Sequence, residues 1–240
     1  MHVKGVEGRQ VTSDKASEAS TAKRSSTDTP GGSARAGASP PRPRTKIEQR
    51  EATTAALIAA ARQLFAERGY AAVGTEEVVQ RAGVTRGALY HHFKGGKEDL
   101  FRAVLVQISA ETTREVLHAA SQAADPWEEL VMGADAFLDA SMKPDVQRIM
   151  LVDGPAVLGW DVWRAADGDY ALTLMEGAIK NAIAAGRLIE QPPRALAHVL
   201  IGALDEAAMV VARADDPAEA RREMGQTVRR LLEGLRGPTM

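Results

Sequence analysis

The chain has 240 residues, with 30 Lys and Arg against 32 Asp and Glu, a formal net charge of −2, and no cysteine. Lack of cysteine excludes disulfides, thiolate nucleophiles and thiolate metal sites, and fits a reducing compartment. No apolar run approaches the ~20 residues of a membrane span, and the basic N-terminus lacks the apolar centre of a secretion signal, so a soluble cytoplasmic protein of one or two domains, with no membrane partner, is expected.

Residues 1–44 are rich in Ser, Thr, Gly, Ala and Pro and end in SPPRPR. Lys4, Arg9, Lys15, Lys23, Arg24, Arg35, Arg42 and Arg44 outnumber Glu7, Asp14, Glu18 and Asp28 there. With almost nothing to bury, this stretch reads as a disordered basic tail. A solvated tail is the simpler reading, and an arm following a nucleic-acid backbone the sharper one.

From Ile47 to Arg68, the residues Leu57, Ile58, Ala61, Leu64 and Phe65 recur at helical spacing in an alanine-rich background, predicting a long first helix. Thr75 is a suitable N-cap, with Glu76 and Glu77 at the positive end of the helix dipole. Val78, Val79 and Ala82 form the apolar stripe of that second helix, and Gly83 stands where the chain must reverse. Val84 fills the corner, Thr85 caps a third helix over 86–93, and Leu89 and Phe93 share its inward face. Arg86, Gly87, Ala88, Tyr90, His91, His92 and Lys94 are left outward. That face carries cations, small residues and hydrogen-bonding rings but no carboxylate, as contact with phosphates requires.

Two other readings of this stretch fail. Gly95, Gly96 and Lys97 look like the end of a phosphate-binding loop, but the glycine needed five residues before Gly96 is His91. The neighbours His91 and His92 point about 100° apart on a helix, so they cannot ligate one metal from one face.

A long helix is predicted from Lys97 to about Ala123, with Leu100, Phe101, Val104, Leu105, Ile108, Val116 and Leu117 as its stripe. Asp125, Pro126 and Glu128, and again Asp216, Pro217 and Glu219, combine an Asp cap, a Pro in the first turn and a Glu in the third place. Lys143-Pro144 and Gln191-Pro192-Pro193 mark two more boundaries. Helices are predicted near 127–142, 145–152, 161–186, 193–213 and 218–235, and no alternating strand is visible, so the class is all-α.

The segment GYAAVGTEEVVQRAGVTRGALYHHFKGGKEDLF, from Gly69 to Phe101, resembles the DNA-binding domain of the TetR family of bacterial transcriptional repressors, whose signature is AGV-T/S-x-G-x-LY-x-HF. The likeness covers roughly Ile47 to Val106, including a preceding helix that ends in FAERGY and a following lysine-led helix. It implies a three-helix helix-turn-helix domain over 45–106 and a larger helical ligand-binding and dimerisation domain over 107–240. By that resemblance Thr85, Arg86, Gly87 and Ala88 face base edges or the adjacent backbone, and Tyr90 and Thr75 hold phosphates. His91 and His92 lie at the far end of the groove. Three residues separate Phe93 from Lys97, where the family more often has two, so Lys94 and Lys97 both remain candidates for a further phosphate contact.

All ten aromatic residues precede position 171. The last two predicted helices carry instead Leu200, Ala203, Leu204, Ala207, Ala208 and Val211 on one, and Val228, Leu231, Leu232 and Leu235 on the other. The resemblance implies that they pair with a second copy as a four-helix bundle; closing a monomer's own core is the alternative. Trp127, Phe137, Met150, Trp160, Trp163, Tyr170 and Met175 could wall an effector pocket, with Met142 and Met209. Asp153, Glu206, His198 and Asp205 would supply its polar groups. Within Met150 to Arg164, the Asp-Gly-Pro break predicts a loop between helices.

The expected function is a homodimeric repressor that binds a palindromic double-stranded DNA operator and is released by a small-molecule effector. An activator or architectural DNA-binding protein without an effector is the alternative. An enzyme is disfavoured: the chain offers no Ser-His-Asp arrangement, metal-spaced histidines or glycine-rich nucleotide loop. Adjacent carboxylates such as Glu128 and Glu129 read as solvated or capping. No cofactor or metal is implied.

Overall fold

Helix α1 (Lys46–Arg68) begins the computed structural model, which describes residues 45–237 apart from the side chains of 166–169. The predicted tail over 1–44 lies outside the described residues. A capping box opens α1, unrecognised in the sequence: Glu48 N donates to the Thr45 hydroxyl at 3.2 Å, and Thr45 N donates to the Glu48 carboxylate at 2.7 Å.

Helix α2 (Thr75–Ala82) starts one residue earlier than predicted. Gly74 takes the extended N-cap conformation without a side-chain bond, so Thr75 is the first helical residue and not the cap. At its end Gly83 is left-handed (φ 67°), and the turn delivers the chain to α3 (Arg86–His92). There Thr85 caps as predicted, its hydroxyl accepting from Ala88 N at 3.2 Å. Leu57, Leu64, Phe65, Val78 and Leu89 bury together beneath the start of α4 (Lys97–Ala120). The rings of Phe65, Tyr70 and Phe101 lie 4.9–5.6 Å apart in tilted or edge-on pairs, the preferred aromatic geometry.

Continuing out of this unit, α4 packs along α5 (Pro126–Ala140) and then α7 (Trp160–Ala184). The expected division at 106 therefore falls inside a continuous helix. Asp125 caps α5 by accepting from Trp127 N and Glu128 N at 2.9 Å, and Glu128 accepts from Ala124 N at 2.9 Å. Asp216 caps α9 (Pro217–Glu233), accepting from Glu219 N at 3.0 Å. Helix α8 (Pro193–Arg213) packs against both α7 and α9. Contrary to expectation, α8 is long and apolar enough by length and composition to cross a bilayer; half of that stretch is buried within this chain, as in a core helix.

The segment predicted near 145–152 is a π-helix, Val146–Asp153, and the Asp-Gly-Pro break does not open a loop. Gly154 stays helical (φ −53°, ψ −60°), and Pro155, with no N–H to donate, follows in α6 (Gly154–Leu158) without ending the helical run. The chain turns at Gly159 instead. Among the described residues the only extended pairing is an isolated antiparallel bridge between Leu188 and Arg236.

The π-helix ties α8 to α1 and to the loop that follows α1. Asp145 at its start accepts from Arg62 of α1 at 2.6 Å, and Arg62 also pairs with Glu111 of α4 at 2.6 Å. Asp153 at its end accepts from the Tyr70 amide at 2.7 Å. Helix α3 is fastened to α1 separately, through His92 Nδ1 and the Thr54 hydroxyl at 2.9 Å. Because that hydroxyl donates to Arg50 O, the imidazole Nδ1–H is the donor to Thr54.

Gly83→Ala should cost about 1 kcal/mol, since an L-residue is strained in the left-handed region while the added methyl would meet nothing within 4 Å. Urea denaturation would show this as a lower midpoint with an unchanged slope. Partial burial, aided by the His91 and Arg50 charges, holds the His92 imidazole below its ordinary pKa of 6.5. The unfolded chain therefore takes this proton first, so the contribution to stability is complete above pH 6.5 and is lost as pH falls through the folded-state value. Denaturation midpoints measured from pH 7.5 to 5 should fall less steeply for His92→Gln than for the unaltered chain.

Candidate nucleic-acid interface and internal cavity

Arg86, Gly87, Tyr90, His91 and Lys94 are exposed, and Ala88 is half-buried at the edge of the same face. The Arg86 guanidinium lies 5.8 Å from the centre of the Tyr90 ring, so the cation and the ring form one ridge. Beneath the ring is Gly96, at φ 65°, where an added Cβ would approach Tyr90 Cε1 to 3.0 Å. A larger residue there would push the ring away. Thr75 is the first residue of α2, at the positive end of that helix.

Two predicted contacts are redirected. Lys97 points inward, its ammonium donating to the carbonyls of Tyr70 and Val73 at 2.8 Å each and lying 3.9 Å from the Tyr70 ring centre. Burial pushes its pKa down. Lys97 thus secures the loop between α1 and α2, while Lys94 stands free on the surface. His92 turns to Thr54 of α1, leaving His91 as the histidine on the open face.

A cavity of about 170 Å³ lies between α4, α5, α7 and α8. Thr112, Thr113, Val116, Leu117 and Ala120 form one wall; Glu129, Gly133 and Phe137 form the second. Leu174, Met175 and Ala178 face them from α7, and Ile201, Leu204 and Asp205 from α8. A second cavity of about 280 Å³ adjoins it, sharing Ala171, Ile201 and Asp205, and is walled by Trp160, Asp161, Trp163, Arg164 and His198. Arg164 and Asp205 form an ion pair at the shared wall.

Only part of the predicted pocket is found here. Phe137, Met175 and Asp205 line the first cavity; Trp160, Trp163 and His198 line the second. Trp127 is buried, with the Arg236 guanidinium 4.8 Å from its ring centre. Met150 packs in the core of the π-helix, and its carbonyl accepts from Trp163 Nε1 at 2.8 Å. Asp153 is turned to Tyr70 and Arg148. Tyr170 is 63% exposed, Glu206 lies on the open face of α8, and Met142 and Met209 line neither cavity. The wall from α4 was missed although its spacing was visible: residues 112, 113, 116, 117 and 120 share one helical face, which sequence reading merged with the core stripe. Glu129 was read as solvated or capping, yet only its neighbour Glu128 caps.

The predicted pairing face is also largely inward. Leu200, Leu204, Ala207, Ala208 and Val211 of α8, with Val228 and Leu232 of α9, are buried within the single chain. Ala203 and Leu235 are half-buried, and Leu231 is 54% exposed. The open stripe of α8 runs instead through Val199, Gly202, Ala203, Glu206 and Val210, with Val199 66% exposed. Both faces of α8 are apolar, so periodicity alone could not tell which one the chain's own core would use.

Comparison with known proteins matches both halves. The family model described as "Bacterial regulatory proteins, tetR family" covers residues 57–104, and "Tetracyclin repressor-like, C-terminal domain" covers 127–235. The crystal structure of a TetR-family transcriptional regulator from Pectobacterium atrosepticum is 37% identical, with a TM-score of 0.71 over 80% of this chain and 98% of that one. The Transposon Tn10 TetC protein of Escherichia coli is 27% identical over 158 residues, 65% of this chain and 78% of that protein. The transcriptional activator FasR of Mycolicibacterium smegmatis is 36% identical over 83 residues, 35% of this chain, and the chain spans only 37% of its length. With its helix-turn-helix and its C-terminal helices both matched, the chain belongs to the TetR family of DNA-binding transcriptional regulators.

Proposed function

We propose that two copies of this chain bind a near-palindromic operator and repress transcription by occluding a promoter, until a small molecule enters the cavity between α4, α5, α7 and α8. The observation that carries this reading is the open, carboxylate-free face of α3. Thr85, Arg86, Gly87 and Ala88 meet base edges or the adjacent backbone; Tyr90, Lys94 and the start of α2 at Thr75 meet phosphates, and His91 lies at the far end of the groove. Symmetry then requires half-sites spaced by whole helical turns, ~34–36 Å each. Repression, as against activation, is supported by the likeness of the C-terminal half to repressor domains. The chain acts in the cytoplasm, without catalysis.

The pairing surface is the open stripe of α8 with Leu231 of α9, in place of the inward residues named from sequence. Release works through α4, which walls the cavity at one end and completes the helix-turn-helix core at the other. An effector can shift the spacing of the two α3 helices only if it binds the DNA-incompetent arrangement more tightly. A coupling of roughly 1–3 kcal/mol already changes DNA affinity by about 5- to 150-fold. The π-helix limits how far α4 can tilt, because Asp145 and Asp153 tie it to α1 and to the loop after it.

An electrophoretic shift on the DNA flanking the chain's own gene tests the reading; no preference over competitor DNA would refute it. Once an operator is in hand, Lys94→Ala should weaken binding to all sequences alike and reduce the salt slope by about 1. Arg86→Ala should in addition relax the preference at one base position by ~1–3 kcal/mol. If Lys97→Ala lowered the salt slope as much as Lys94→Ala, the division between the two lysines would be wrong. Sedimentation of the double variant Val199→Glu, Leu231→Glu should show a folded monomer with weakened operator binding. A dimer that persists would place the pairing surface elsewhere.

A further inference from the structure

We propose that the 170 Å³ cavity selects an apolar molecule bearing one protonated amine, with Glu129 as the counter-charge. This deepens the effector reading and rests on it. The cavity wall is almost wholly apolar, and its ionisable side chains, Glu129 and Asp205, are both acidic. Asp205 is already paired with Arg164 at the far wall. The Glu129 side chain, on α5, is half-buried and has no hydrogen-bond or ion-pair partner among the described residues, whereas the other half-buried carboxylates there, Glu111, Asp125, Asp145, Asp153 and Glu176 among them, are capped or paired.

A carboxylate facing a partly enclosed apolar space is poorly compensated, and a cation brought beside it gains more than it would in bulk water. An anionic ligand would meet the Glu129 carboxylate and no basic side chain among the residues lining this cavity. The hydroxyls of Thr112 and Thr113, across from α5, can accept from the remaining N–H groups of an ammonium. Volume limits the apolar part: a dry cavity of about 150 Å³ holds a benzene ring, so one ring or a short alkyl chain fits here. A longer molecule would extend past Ile201 into the second cavity.

The test is calorimetric titration of the intact chain, at pH 7, with three probes of one skeleton: benzylamine, benzyl alcohol and benzoate. The amine should bind about tenfold more tightly than the alcohol, the scale of one charge-assisted hydrogen bond, and the carboxylate most weakly. Glu129→Gln should abolish the advantage of the amine while leaving the alcohol's affinity within about twofold, which a misfolded variant could not do. Equal affinities, a tighter carboxylate, an amine preference that survives Glu129→Gln, or no binding of any probe would overturn the proposal. Operator release by the same compounds is scored separately. Release by the alcohol as readily as by the amine would refute the charge selection and keep the effector reading. Glu129-dependent amine binding without release would keep the charge selection and refute the effector reading.

Discussion

The peptide groups of Tyr70 are held from opposite sides. Its amide donates to Asp153 at the end of the π-helix, and its carbonyl accepts from Lys97 at the start of α4, at 2.7 and 2.8 Å. These groups sit in the short connection between α1 and α2, and that connection decides where α2 begins. Since α2 sets α3 through the Gly83 turn, the presentation of Arg86, Tyr90 and Lys94 depends on two charge-assisted bonds made behind that face. Such bonds are stronger than neutral ones, and a partly buried charge left without its partner is costly. The placement of Lys97 thus makes structural sense of a residue that the motif alone would send to a phosphate.

The same clasp ties the C-terminal helices to the helix-turn-helix. Helix α4 is shared by the two, and its apolar residues change role along its length. Leu100, Phe101 and Val104 complete the core under α3, whereas Val116, Leu117 and Ala120 face an empty volume. In the proposed release, an effector in that cavity would load α4 near its C-terminal end, while packing and Lys97 couple its N-terminal end to the helix-turn-helix. The Arg62 pairs with Asp145 and Glu111 cross the join between these two regions. In the proposed release mechanism, a helix tied in this way would pass a local change of packing on to α3, because packed interfaces switch between arrangements more readily than they deform smoothly.

Two surfaces remain to be covered in the proposed assembly, and they differ in chemistry. The α3 face is cationic and polar, suited to a hydrated, charged partner. The α8 stripe through Val199, Gly202, Ala203 and Val210 is apolar and made of small or branched residues, suited to the close approach of another helix. Glu206 lies within this stripe, where it can bind across a symmetric interface only if a cation from the other copy reaches it. Arg213 on the same helix, and Arg230 on α9 next to Leu231, are exposed nearby in sequence.

Much of the architecture is legible in the sequence. Capping chemistry is local, so Thr85, Gly83, Asp125 and Asp216 mark helix ends wherever the rest of the chain goes, and the α3 motif carries its outward face with it. The exceptions were local competitions: Gly74 outbid Thr75 for the cap, and Gly154 continued a helix that Asp-Gly-Pro seemed to break. What only the tertiary structure decided is which partner each ambiguous side chain takes. Lys97 and His92 could have reached a phosphate or the protein, Asp153 a ligand or Tyr70, and α8 could have turned either apolar face inward. Periodicity records that a residue must be buried or paired, but not against what, since burial energy is non-directional and the partners are supplied by distant segments. For that reason the inward stripes of α8 and α9 looked like a surface for a second copy, and Glu129 like a solvated charge, although it lines the cavity that α4, α7 and α8 share with α5.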